Sequence, residues 1–276
     1  MIGFIQGRLS EVVDGKIQAF PSKNWKNEFP LARKIGFDLI EWTIDDENFY
    51  DNPLLKKTDE ATIKQLMVKN KIKLKSVTGD FLMQKPFYKC EGIEKRNCQE
   101  KLISLIIQSK KFGINYIVMP LVDNGSITCD EYEKELKNFL ISINNLLKVN
   151  KVMILFESDF SPSRLSKLIS FFPSDTFGIN YDMGNSASLG FDPFEEFHYY
   201  GDRIKNVHIK DRKLNGTTVP LGEGNTNFNI VFKNLKMINY TGSYILQTAR
   251  AIDGDHFNIL KKYFEMTKLW LSSYGS

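Results

Sequence analysis

Cysteine is scarce: the 276 residues hold three, Cys90, Cys98 and Cys129, and no two form a Cys-x-x-Cys pair. That excludes a disulfide scaffold and a thiolate zinc ribbon, and it points to a reduced compartment. Histidine is as rare, with three in all, so a site built on several imidazole-bound zinc ions is not expected. No stretch approaches about 18 consecutive apolar residues, so no transmembrane helix is expected and no membrane partner. The chain opens on an apolar segment, Met1-Ile2-Gly3-Phe4-Ile5, without a charged region ahead of a long apolar run. We expect a cytoplasmic protein. An excess of one charge is also missing: 37 Lys+Arg stand against 33 Asp+Glu, a net +4. The lysines are spread along helices and form no block, which argues against a nucleic-acid partner. Absent too is the Gly-x-Gly-x-x-Gly turn of an open dinucleotide-binding sheet. Gln6-Gly7-Arg8-Leu9 follows the first apolar run instead.

What is present is an alternation. With 42% hydrophobic and 25% charged residues the composition is that of an ordinary globular protein,. Short apolar runs occupy 2–6, 37–42, 72–80, 114–120, 152–157, 176–182, 204–209 and 243–247. Most are rich in Ile, Val, Leu and Phe without polar alternation, as parallel strands covered on both faces read. Helical patterns lie between and after them, at 24–35, 59–69, 94–112, 130–149, 163–172, 194–200, 228–238 and 257–272. The 130–149 stretch carries a 3.6-residue stripe from Tyr132 through Leu136, Phe139, Leu140 and Ile143 to Leu147,. Gly36 and Gly113 stand where helices would stop,. Eight strand-then-helix units with no break in composition predict an α/β fold, a single (β/α)₈ barrel forming one domain over residues 1–276.

In such a barrel the chemistry sits at the C-terminal ends of the strands. Four adjacent runs end on candidate ligands: Glu157, Asp182, His208 and Gln247. Neighbouring strands are only about 4.8 Å apart, so inward side chains from four of them can converge on one ion. Oxygen donors with a single imidazole suit Mn²⁺ or Mg²⁺, with Zn²⁺ or Co²⁺ as further choices. Any one of these residues alone could equally cap its strand. His208 is the most informative, because it stands in an apolar strand, whereas His198 and His256 fall in helical segments.

The pattern Glu157 … Tyr181-Asp182-Met183-Gly184-Asn185 … Val207-His208-Ile209-Lys210-Asp211 … Gly222-Glu223-Gly224 … Leu246-Gln247-Thr248-Ala249-Arg250 resembles the xylose isomerase-like sugar phosphate isomerases and epimerases. The likeness runs from the first strand to the last. It implies metal ligation by the residues ending strands five to eight. It also implies two glutamates, first and last of the four, acting as acid and base on the two faces of a sugar. Glu157 fits the first position. Gln247 stands in the second, and an amide can ligate a cation but cannot take a proton near neutral pH. Three outcomes stay open. In the first another carboxylate replaces it, with Glu223, Asp80 and Glu41 as candidates. In the second the reaction needs one base, as an aldose–ketose isomerisation does. In the third the barrel binds a sugar without turnover.

The chemistry explains the parts. Removing a proton beside a carbonyl leaves an enediolate, which a divalent cation stabilises. Glu157 is the expected base, and Lys210 would hold the oxyanion or a hydroxyl, or simply pair with a carboxylate. Arg8, Lys210, Arg212 and Arg250 gather at the ends of neighbouring strands and suit a phosphate or carboxylate tail; ordinary loop charge is the alternative. Trp42 and Phe81 are candidates for an apolar wall of the substrate pocket. The expected activity is a metal-dependent isomerase or epimerase of a small sugar or sugar phosphate. An endonuclease IV-like phosphodiesterase is disfavoured by the histidine count. The resemblance further implies a homodimer or homotetramer.

Overall fold

A computed structural model describes residues 1–274. The order of elements is β1 (Ile2–Ile5), α1 (Trp25–Ile35), β2 (Leu39–Thr43), α2 (Glu60–Asn70), β3 (Lys73–Thr78), α3 (Asp80–Gln84), α4 (Gly92–Phe112), β4 (Tyr116–Leu121), α5 (Asp130–Ser142) and α6 (Asn144–Asn150). Then come β5 (Met153–Ser158), α7 (Pro162–Ser170), β6 (Phe177–Asp182), α8 (Met183–Leu189), α9 (Pro193–Tyr200), β7 (Ile204–Ile209), α10 (Phe228–Met237), β8 (Ser243–Leu246) and α11 (His256–Tyr274). The eight strands close into one parallel barrel in sequence order, β1 pairing with both β2 and β8. Among the described residues no helix is long and apolar enough to cross a membrane.

Helices cover the outside of the barrel through the stripes read in the sequence. On α1 the buried positions are Trp25, Glu28, Phe29, Ala32 and Ile35, one face of a 3.6-residue repeat,. Gly36 ends it with φ 111°, a left-handed conformation that suits glycine,. The expected 130–149 helix is two helices, α5 and α6, broken at Ile143. The reason is local: Ser142 Oγ bonds back to the Phe139 carbonyl at 2.7 Å, and Asn144 and Asn145 follow. Such polar side chains compete with the helical ladder. Short helices α3 and α8 begin directly after β3 and β6, where only strand ends and loops were expected.

The inside of the barrel is layered. Ile5, Leu39 and Ile245 form a small apolar cluster of their own. Gly3 makes room for it, since a Cβ there would lie 2.6 Å from Leu39 Cβ and 3.0 Å from Ile245 Cδ1. Towards the C-terminal ends the interior turns polar. Asn180 pairs in register with Asn206, and Asp182 with His208, so β6 and β7 each send two polar side chains inward at matching depths. The polar alternation on these two strands departs from the uniformly apolar reading, and it carries the site.

Candidate active site

Each functional side chain is placed by a strand and then fixed by hydrogen bonds. Glu157, Asp182 and His208 lie together at the C-terminal ends of β5, β6 and β7, all buried, with one ligand-type atom from each within 4.8 Å of the others. His208 Nε2 is 2.7 Å from Glu41 Oε1. Its Nδ1 lies 3.2 Å from Glu157 Oε2 and 3.8 Å from Asp182 Oδ2, yet makes no hydrogen bond. Burial opposes charge on the imidazole, but Glu41, Asp182 and Glu157 outweigh it and hold its pKa well above the usual value. Asp182 goes the other way. Burial opposes its charge, but Lys210 and His208 hold the carboxyl at about 2. The cluster is therefore a nest of carboxylates that attracts positive charge.

The two oxygens of Glu157 are held separately. Asn180 Nδ2 donates to Oε2 at 2.7 Å and Asn185 Nδ2 donates to Oε1 at 2.8 Å. Asn206 links this pair to the layer below, donating to Asn180 Oδ1 at 2.8 Å and Glu41 Oε2 at 3.0 Å. Lys210 Nζ reaches Asp182 Oδ2 and Gln247 Oε1, both at 3.2 Å, and Asn185 Oδ1 at 3.1 Å. Arg212 also donates to Asn185 Oδ1, at 2.8 Å. A cavity of about 680 Å³ opens above the cluster, and Arg8, Asp80, Glu157, Lys210, Arg212 and Gln247 all line it.

Five of the candidates lie elsewhere. Glu41 lies beneath the cavity, fully buried, where it accepts from Ser76 Oγ at 2.5 Å and faces His208; it supports the imidazole and does not line the cavity. Trp42 points the opposite way, because side chains alternate along a strand. It packs on Trp25 with ring centroids 5.5 Å apart and donates from Nε1 to Asn52 at 2.8 Å. Phe81 is core as well, packed edge-on against Phe49 at 4.9 Å. Glu223 is exposed on a loop. The loop is held by Asp211, whose carboxylate accepts from the N–H groups of Gly222, Gly224 and Thr226 at 2.8, 2.9 and 3.0 Å. Gly222 has φ +93°, and a Cβ on Gly224 would overlap the Asp211 carboxylate. The Gly-Glu-Gly element is thus architectural. Arg250 lies behind the wall, donating to the Ser10 carbonyl at 2.8 Å.

Two residues that the sequence reading passed over matter here. Asn185 was visible only as part of a motif, yet it touches Glu157, Lys210 and Arg212. Gln18 sits in the long loop after β1, where no periodicity marks it. Gln18 Nε2 donates to Asp80 Oδ2 at 2.8 Å, and its Oε1 accepts from Gln247 Nε2 at 3.0 Å.

That loop is anchored by Glu28, which is fully buried on α1 and accepts from the N–H groups of Gly7 and Leu9 at 2.9 and 3.1 Å. Burial pushes its carboxyl from 4.5 up to about 7, against the pull of those hydrogen bonds. The folded state therefore holds this proton more tightly than the unfolded chain. Its contribution to stability is full below the ordinary pKa of 4.5 and is lost as pH rises towards 7,. Glu28→Gln is expected to flatten the fall in stability over that window by about 3 kcal/mol. Urea unfolding at about pH 5 and about pH 7.5 measures it, and an unchanged slope would contradict the assignment.

The fold and the cluster define a parallel α/β barrel carrying a carboxylate–imidazole site at its C-terminal mouth. The chain belongs to the xylose isomerase-like TIM barrel family, whose sequence profile matches residues 29–265. SgbU of Haemophilus influenzae, provisionally assigned as an L-ribulose-5-phosphate 3-epimerase, is 25% identical over 237 residues, covering 81% of this chain and 83% of that one. An L-ribulose 3-epimerase structure superposes with a TM-score of 0.77 at 15% identity, covering 99% of this chain and 95% of that one. A structure of the IOLI protein with a bound zinc atom also gives 0.77, at 17% identity, covering 100% and 99%. At these identities the two structures show the fold alone.

Proposed function

We propose that the chain is a metal-dependent isomerase or epimerase of a small sugar or sugar phosphate. The observation that carries this reading is the buried His208 Nδ1, unpartnered and aimed at two carboxylates. A metal-binding histidine commonly gives its other nitrogen to a carboxylate, and here Glu41 takes that place. Glu157, Asp182 and His208 would hold a divalent cation, with the Gln247 amide oxygen as a fourth donor. Mn²⁺ or Mg²⁺ fits the oxygen-rich set, and Zn²⁺ and Co²⁺ fit the imidazole. When bound, such an ion supplies positive charge to the sugar oxygens on which negative charge develops.

The rest follows from the chain's own side chains. Glu157 Oε1 and Oε2 each receive one amide N–H, which fixes the carboxylate and leaves lone pairs for a proton on the carbon beside the carbonyl,. Lys210 has three donors and no acceptor, and it spends them on Asp182, Asn185 and Gln247; a cation taking the Asp182 and Gln247 oxygens would free two of them for a substrate hydroxyl,. Arg8 and Arg212 line the same cavity and suit an anionic tail,. The likeness to SgbU supports a pentulose phosphate as one substrate to try.

The test is a conversion screen of ketoses, aldoses and their phosphates, with metal-stripped protein reloaded with Mn²⁺, Mg²⁺, Zn²⁺ or Co²⁺. Isomer formation that needs the ion is expected. Sugar-dependent thermal stabilisation without conversion under every ion would favour a binding barrel instead.

A further inference from the structure

Inverting a carbon beside a carbonyl takes two groups, one removing a proton from one face and one returning a proton to the other. Glu157 supplies the first. Gln247 lines the same mouth but its amide is no proton-transfer group near neutral pH. Three other carboxyls line the cavity: Asp80, Asp123 and Asp159. Asp123 is exposed, and Asp159 is half-buried and accepts from the Ser126 hydroxyl. Asp80 is buried, at the start of α3 just past β3.

Asp80 is also held from two sides. Thr78 Oγ1 donates to Oδ1 at 3.0 Å, and Gln18 Nε2 donates to Oδ2 at 2.8 Å. The second bond has a fixed polarity. Lys210 can only donate, so it turns the Gln247 amide oxygen towards itself,. The Gln247 amide nitrogen then donates to Gln18 Oε1, to which Arg8 Nη2 donates as well, at 3.4 Å. That leaves the Gln18 amide nitrogen facing Asp80. An unbroken donor-to-acceptor chain thus runs from Lys210 to Asp80. It presents Asp80 to the cavity as an oriented carboxyl with lone pairs to spare.

We propose that Asp80 is the second proton-transfer residue of this site, working on the face of the sugar that Glu157 does not reach. The inference rests on the function proposed above. In one turnover the C–H bond breaks and Glu157 keeps the proton, while the electron pair moves onto the carbonyl oxygen as an enediolate. The pair then returns to carbon and a new C–H bond forms with the proton of Asp80. Both carboxyls afterwards re-equilibrate with water, and no redox partner is needed. In the reverse direction the roles exchange. Burial, with help from the Asp45 and Glu157 carboxylates, pushes the Asp80 carboxyl from 3.8 up to about 7, against the hydrogen bonds from Gln18 and Thr78. A group in that range can carry and release a proton near neutral pH.

The experiment uses Asp80→Asn and the metal-loaded protein in D₂O, with L-ribulose 5-phosphate, D-fructose and D-tagatose as probes, each followed by NMR. Wild type is expected to interconvert one probe with its epimer and to place one solvent deuterium in each product. Asp80→Asn is expected to lose net epimerisation by about a hundredfold or more. It should still exchange the proton of the epimer whose C–H faces Glu157, and lose exchange of the other epimer. Glu157→Gln, at metal concentrations that load it fully, should show the reverse pattern. Conversion by Asp80→Asn at the wild-type rate would overturn the proposal. So would equal loss of exchange for both epimers in a variant with wild-type metal content and unfolding midpoint, which marks a structural role. If wild type exchanges no probe, the proposed function falls first and this inference with it.

Discussion

Glu157→Gln is expected to lower turnover by about a thousandfold or more, with the barrel still folded. The substitution keeps the shape of the side chain and removes its ability to accept a proton from carbon. It also removes one negative charge from the cluster with Asp182 and His208, so metal affinity should fall with it. The cost in stability can be located. Asn180 Nδ2 and Asn185 Nδ2 donate to opposite oxygens of the carboxylate. Neither asparagine is free to turn over, because Asn180 Oδ1 accepts from Asn206 and Asn185 Oδ1 accepts from Lys210 and Arg212. The new amide nitrogen must therefore face one donor. One buried N–H left without an acceptor costs about 1–3 kcal/mol, or a few degrees of melting temperature in a domain of this size. A melting curve and kcat on the converted sugar separate the two effects. A variant that keeps wild-type kcat would remove Glu157 from the chemistry.

How much of this was legible in the sequence depends on what each residue's role rests on. The strand count was legible because buried parallel strands must be apolar on both faces. The convergence of Glu157, Asp182 and His208 was legible because each ends such a run, and register then sets Asp182 directly against His208. The burial of Trp42 and Phe81 in the core was not legible, for a different reason. Position near a strand end does not fix which way a side chain points. On β2 the register of Ile5 with Glu41 sends Glu41 inward and so Trp42 outward. Parity along the strand carries that information, and ring size does not. The place of Glu223 on an exposed loop was not legible, because glycines flanking a carboxylate look like an active-site loop. Here the backbone N–H groups are the functional part, serving Asp211. Gln18 could not be read at all. Its position depends on a loop held by a buried carboxylate 10 residues further on, on α1.

The second large effect concerns metal binding, and it has to be separated from folding. His208→Ala is expected to lower affinity for Mn²⁺ or Zn²⁺ by at least about a hundredfold, since it deletes the imidazole donor. It also strands Glu41. That carboxylate is fully buried and loses its contact with His208 Nε2, keeping only Ser76 and Asn206. Breaking a buried charge pair from one side costs about 3–5 kcal/mol, so low metal content in the single variant could reflect a loosened barrel. Glu41→Gln resolves this. It leaves the imidazole in place and removes the charge behind it, and it should weaken metal binding about 10–100-fold with a smaller loss of stability. The double variant, His208→Ala with Glu41→Gln, removes the stranded charge and should recover part of the lost stability while metal affinity stays low. Calorimetric titration of stripped protein, paired with urea unfolding, reads both quantities on the same samples. If the double variant regained metal along with stability, His208 would be a structural residue and not a ligand, and the cation would have to be held by other donors.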